Sequence, residues 1–88
     1  MYFTYVLWSS KIGKRYVGAT DNVEKRLHEH NLGGNKFTKG GIPWILIRTE
    51  EFATKTEALQ RENFLKSGQG RKWLDENCSI NWKGAGVV

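Results

Sequence analysis

The sequence predicts an α/β domain of the α+β type, with elements in the order β-β-α-β-α-(α). Three observations carry that expectation. Residues 2–8 (YFTYVLW) and 14–20 (KRYVGAT) are aromatic and β-branched runs joined by turn residues. Residues 21–31 and 54–66 show helical spacing behind capping residues. A third apolar run, 44–52 (WILIRTEEF), lies between the two helical segments.

Along the first strand, alternation sets Phe3, Tyr5 and Leu7 on one face and Thr4, Val6 and Trp8 on the other, so both faces call for cover. Residues 9–13 are turn chemistry, and 14–20 return as the second strand of a hairpin. A loop over residues 9–12 would set Tyr5 directly opposite Tyr16, with Cβ atoms about 4.5–5.5 Å apart. Asp21 is the expected N-cap of the first helix, with Glu24 closing a capping box and Val23 and Leu27 facing inward. Residues 31–43 form a glycine-rich basic loop. The apolar opening of 44–52 suggests a strand buried on both faces that exits to solvent at its acidic end. Thr54 caps the second helix with Glu57 at the capping-box position, and Ala58, Leu59, Glu62 and Leu65 mark its inner side. Ser67-Gly68 ends it. Residues 71–77 suggest a short third helix held by Trp73 and Leu74, and 83–88 read as a loose tail.

Eighty-eight residues make one domain, here residues 1–82, because a chain this short cannot divide its core. Four Trp, three Tyr and four Phe supply apolar area, and no apolar run approaches membrane-spanning length. The start lacks a basic n-region and cleavage site, so a cytoplasmic protein is expected. Cys78, the single cysteine, has no partner for a disulfide or a zinc knuckle. Fourteen Lys and Arg against nine Asp and Glu give +5, which favours a polyanionic partner. Lys11, Lys14, Arg15, Lys25, Arg26, Lys36 and Lys39 crowd the first half, against Asp21, Glu24 and Glu29. On one side of the fold they would track phosphates, with Lys14, Arg15, Lys36 and Lys39 as the nucleic-acid contacts.

Glu62 is the most diagnostic acid. At about 100° per residue it lies within about 60° of Ala58, Leu59 and Leu65, on the core side of its helix. A carboxylate there needs a cation, either Arg26, Arg48 or another buried cation in an ion pair, or a hard divalent ion with water and phosphate completing its shell. Glu57 points away and can pair with Arg61 at i,i+4. Arg26 and His30 sit one turn apart at the rim of the first helix. Arg26 suits either a salt bridge with Glu24 or Glu29 or a guanidinium fork on a phosphate. His30 suits either the helix dipole or proton transfer. His28 and His30, two apart, face different ways and cannot chelate one metal. Tyr5 and Tyr16 pack in the sheet, and on one face near a cation they could also position and deprotonate a water.

These residues resemble the GIY-YIG nuclease superfamily. Thr4-Tyr5-Val6 and Tyr16-Val17-Gly18 match its two strand motifs, Glu24-Lys25-Arg26-Leu27 with His30 its following helix, and Arg61-Glu62-Asn63-Phe64 its metal-binding segment. The resemblance runs from about residue 2 to residue 74. It departs in the first motif, Thr-Tyr-Val for Gly-Ile-Tyr, and in Ala19, where the excision-repair module carries a lysine. The resemblance implies a three-stranded antiparallel sheet flanked by helices and DNA phosphodiester hydrolysis with one Mg2+ or Mn2+, in repair or recombination. Tyr5 and Tyr16 would activate water, Arg26 would bind phosphate, His30 would assist proton transfer and Glu62 would hold the metal. An asparagine late in the core would correspond to Asn77 or Asn81. A nucleic-acid-binding module that cuts weakly or not at all is the competing reading, because the chain carries no appended DNA-binding motif and would lean on a partner protein or a homodimer. Nothing reads a 2′-hydroxyl, so RNA stands beside DNA as a substrate.

Overall fold

The computed structural model describes residues 1–78; Asn81, Trp82, the expected domain end at 82 and the tail 83–88 lie outside the described residues. Strands β1 (Tyr2–Ser9) and β2 (Lys14–Thr20) form the hairpin, followed by α1 (Val23–Asn31), β3 (Ile45–Phe52), α2 (Lys55–Lys66) and α3 (Gly68–Asn77). The sheet is three-stranded and antiparallel in the order β2-β1-β3. The expected fold class and element order hold.

β1 is central, which explains why residues 4–7 are buried without a break. Tyr5 and Leu7 pack with Trp44 on one face, joined by Val23 and Leu27 of α1. Val6 and Val17 pack with Leu65 of α2 and Leu74 of α3 on the other. The hairpin register differs from expectation. Ser9 pairs with Lys14, so the loop is residues 10–13, and Gly13 takes φ +63° to close it. Tyr5 therefore faces Gly18, and Tyr16 faces Leu7. The slip is two residues, which keeps both tyrosines on one face, because side chains alternate with period two.

Capping also differs at one helix. Asn22, not Asp21, caps α1, its side chain accepting from the Lys25 amide at 3.1 Å. Thr54 caps α2 as expected, accepting from the Glu57 amide. Leu59 is 41% exposed, so the inner side of α2 is narrower than read. β3 is an edge strand, not one buried on both faces, and Ile45 and Leu46 at its start are exposed.

Polar groups tie α2, α3 and β3 together. Arg61 pairs with Glu50 of β3 at 2.7 Å rather than with Glu57, and Arg48 reaches the same carboxylate at 2.9 Å. The Arg61 and Arg48 guanidinium groups lie over the Trp73 ring, at 4.5 and 4.8 Å from its centre respectively. Burial alone pushes the Glu50 carboxyl upward, but hydrogen bonds and charge from Arg61 and Arg48 outweigh it and hold it below the usual carboxylate range. A folded value below the unfolded one stabilises the protein fully above pH 4.5, and that contribution fades as pH falls through the depressed value. Glu50→Gln is expected to flatten the acid side of a plot of Tm against pH, measured below about pH 4.5.

Among the described residues no helix is long and apolar enough to cross a membrane.

Candidate active site

The hairpin brings two phenols together over a glycine. Tyr5 and Tyr16 have ring centres 6.1 Å apart, and Tyr5 lies against Gly18, where an added Cβ would come within 2.5 Å of the Tyr5 hydroxyl. Gly18 thus makes room for the Tyr5 side chain itself. Any larger residue there would displace the hydroxyl.

α1 then brings His30 to both rings. Its imidazole centre is 4.7 Å from Tyr16, and Nε2 is 3.1 Å from the Tyr5 hydroxyl. Nδ1 lies 2.8 Å from Oγ1 of Thr38, and that hydroxyl donates to the Asn35 carbonyl at 3.3 Å. With its one proton committed to Asn35, Thr38 accepts from His30. This network assigns the imidazole proton to Nδ1 and leaves Nε2 to accept from the Tyr5 hydroxyl.

The loop after α1 is anchored to hold Thr38 there. Asn31, the last residue of α1, binds the backbone of Trp44 from both sides, accepting from its N–H at 2.6 Å and donating to its carbonyl at 3.0 Å. The buried Trp44 ring donates from Nε1 to the Thr38 carbonyl at 2.7 Å. Sequence reasoning missed Asn31, Thr38 and Trp44 as supports, because each meets its partner only once the loop has closed. Trp44→Ala is expected to cost about 3–5 kcal/mol in urea unfolding, since it opens a cavity and frees the loop together.

Burial sets the electrostatics. Tyr5 and His30 are each 1% exposed. Burial, then the neighbouring Tyr16, push the Tyr5 phenol up to about 12, and contact with Arg26 works against them. Burial and then the charge of Arg26 lower His30 below its ordinary value, with Glu29 opposing. Contact with Tyr5 is the largest influence raising Arg26. Arg26 also pairs with Glu29 at 3.3 Å while its side chain stays 39% exposed, so the guanidinium is available to a phosphate.

Glu62 arrives from α2, three residues before the buried Leu65, and its charge is felt by Tyr5. Its carboxylate binds Lys66 at 2.6 Å, and that ammonium lies 5.8 Å from the centre of the Tyr16 ring. The cation that pairs with Glu62 is therefore neither Arg26 nor Arg48, which hold Glu29 and Glu50, but the lysine one turn on. Among the described residues no group of three or more His, Cys, Asp or Glu could hold a metal ion unaided. A single carboxylate 16% exposed, already holding one cation, fits an ion such as Mg2+ that keeps most of its waters and takes phosphate oxygens as further ligands.

The expected phosphate contacts divide. Lys14, Lys36 and Lys39 are exposed, Lys36 on the rim near Arg26. Arg15 is not a surface residue. Its side chain is 1% exposed, held by Asp75 of α3 at 2.7 Å and the Arg71 carbonyl at 3.2 Å. It shares the sheet face of Val17, which α2 and α3 cover. Asp75→Ala, which removes the carboxylate 2.7 Å from that buried guanidinium, is expected to cost about 3 kcal/mol in urea unfolding.

The GIY-YIG catalytic domain profile matches residues 1–74. A UPF0213 protein of Natronomonas pharaonis is 45% identical over 67 residues, covering 75% of this chain and 78% of the relative. One from Bacillus licheniformis is 46% identical over 66 residues, covering 74% and 67%. One from Halobacterium salinarum is 43% identical over 67 residues, covering 75% and 86%. No solved structure matches the chain. With that profile over most of the chain and relatives above 40% identity, the chain belongs to the GIY-YIG catalytic domain family, whose activity is that of a nuclease.

Proposed function

We propose that the protein is an endonuclease that hydrolyses DNA phosphodiester bonds with Mg2+ or Mn2+ held at Glu62, in the cytoplasm and in the service of repair or recombination. The observation that carries this reading is the hydrogen-bonded line from the Tyr5 hydroxyl through His30 to Thr38, with Arg26 beside it. An ordinary phenol is a poor base at neutral pH, and this one is poorer still in the free protein. The imidazole changes that. As the Tyr5 oxygen takes a proton from the attacking water, Nε2 of His30 takes the phenol's own proton, and the resulting imidazolium keeps its Nδ1–H on Thr38. Tyr16 packs against both rings and fixes their angle. Arg26 binds a non-bridging oxygen and stabilises charge as it grows on the phosphate. A divalent ion, when bound, supplies Lewis-acid polarisation of the phosphate and stabilises the leaving oxygen.

Lys14, Arg26, Lys36 and Lys39 offer about four phosphate contacts, so duplex binding should weaken with salt at a log–log slope of about −3 to −4. Lys36→Ala is expected to reduce that slope by about 1, read from fluorescence anisotropy across a salt series. The function itself is tested by measuring binding in Ca2+ or EDTA and product in Mg2+ and Mn2+, on single strands, duplexes, flaps and branches. Product on any of these supports the nuclease. Binding without product on all of them would instead establish a nucleic-acid-binding module.

A further inference from the structure

Between α1 and the loop that follows it lies a cleft of about 430 Å³, within the size range of small-molecule sites (~300–1,000 Å³). Arg26, Glu29 and His30 of α1 line it together with Leu32, Asn35, Lys36 and Phe37 of the following loop. Phe37 and Leu32 are each 70% exposed, although both are large and apolar. Their exposure is built into the loop. The Phe37 amide donates to the Asn35 side chain at 2.8 Å, the Thr38 amide donates to the Asn35 carbonyl at 3.1 Å, and Thr38 is fully buried against His30. With Thr38 fixed inward, the preceding ring is held outward at the mouth of the cleft. The Lys36 ammonium lies 5.5 Å from the centre of that ring.

A second cleft of about 380 Å³ beside Phe3 and Leu46 makes the contrast useful. Asp21 and Glu24 line that one, and a polyanionic strand would be repelled there. The Phe37 cleft has one acid, Glu29, already paired with Arg26, and combines an exposed aromatic face, a lysine and direct continuity with the arginine that would hold the phosphate. A planar base attached to that phosphate satisfies all three.

We propose that this cleft takes one unpaired nucleobase adjoining the phosphate at Arg26, stacked on Phe37, with Leu32 adding apolar lining. The site rests on the nucleic-acid reading above and deepens it. A base can enter only when it is out of a duplex, so the cleft selects strands with an unpaired nucleotide at the cutting position. Stacking is tolerant of base identity, and the strand can be DNA or RNA.

Binding in Ca2+ to three oligonucleotide types tests the proposal: a single strand, the same strand with one abasic position scanned along it, and a blunt duplex, each in DNA and RNA forms. Phe37→Ala is expected to weaken single-strand binding about 10-fold, within the range of stacking losses, while duplex binding changes less than about twofold. Phe37→Trp should restore the single-strand affinity, and one abasic position should reproduce the alanine loss in the parent protein. The DNA and RNA arms show which strand supplies the base. Unchanged single-strand binding by Phe37→Ala, or an equal loss on duplex, overturns the proposal. If the parent protein cuts DNA while Phe37→Ala behaves as parent on every substrate, the cleft falls and the nuclease reading stands. If stacking losses appear with no cutting anywhere, the cleft stands and the nuclease reading falls.

Discussion

Tyr5→Phe is expected to lower turnover by about 10²–10⁴-fold, the range of a lost acid–base group, while the protein melts near the parent temperature and binds DNA within about twofold. The hydroxyl removed is buried and meets Nε2 of His30 at 3.1 Å, with the Arg26 guanidinium beside it. Phenylalanine keeps the ring against Leu7 and Trp44, so little packing is lost. His30→Ala should fall to a similar level, and the double variant should fall little further, because groups that act as one relay are not additive. The pH profile carries the sign. His30 must be neutral to receive a proton, and burial and Arg26 lower its value. Turnover should therefore rise with pH through a value below the ordinary ~6.5 and level off above it. Thr38→Val removes the acceptor that holds the proton on Nδ1, and it should reduce turnover with binding intact, whereas Thr38→Ser should restore it. A Tyr5→Phe protein cutting at the parent rate would move the water-activating role elsewhere, with Tyr16→Phe as the next measurement.

What the sequence made legible follows from period and capping, and what it hid follows from long-range closure. Alternation sets both tyrosines on one face even though the observed register differs by two residues, because a shift of two leaves parity untouched. Glu62 was placed toward the core by helical phase, and it is half-buried at the site. Leu59, assigned to the same stripe, is exposed, since α2 meets the sheet mainly through Ala58 and Leu65. Arg15 reads as a surface cation by its charge, yet strand alternation sets it in phase with Val17. What the hairpin could not reveal was that Asp75, sixty residues away, would cover it. The Thr38 contact was equally hidden. It depends on Asn31 gripping Trp44 across thirteen residues, and no local pattern encodes that closure.

Glu62→Gln is expected to lower turnover by about 10³-fold or more while stability changes by less than about 1 kcal/mol. The contrast between those magnitudes separates two roles for one side chain. If Glu62 served only to pair with Lys66, its loss would remove a partly exposed i,i+4 ion pair, an interaction worth about 0–1 kcal/mol, and cutting would persist. If it holds the divalent ion, glutamine keeps its size and polarity but surrenders the charge that a hard cation requires. Free Mn2+, followed by its paramagnetic signal without DNA present, gives a readout independent of cutting: the parent should bind it weakly and the glutamine variant not measurably. Lys66 sharpens the test. Its ammonium occupies the carboxylate at 2.6 Å, so Lys66→Ala should tighten Mn2+ binding severalfold by removing a competing cation. Parent-level Mn2+ binding and cutting by Glu62→Gln would reduce this acid to a partner of Lys66, and the ion would have to be held from elsewhere around Tyr16.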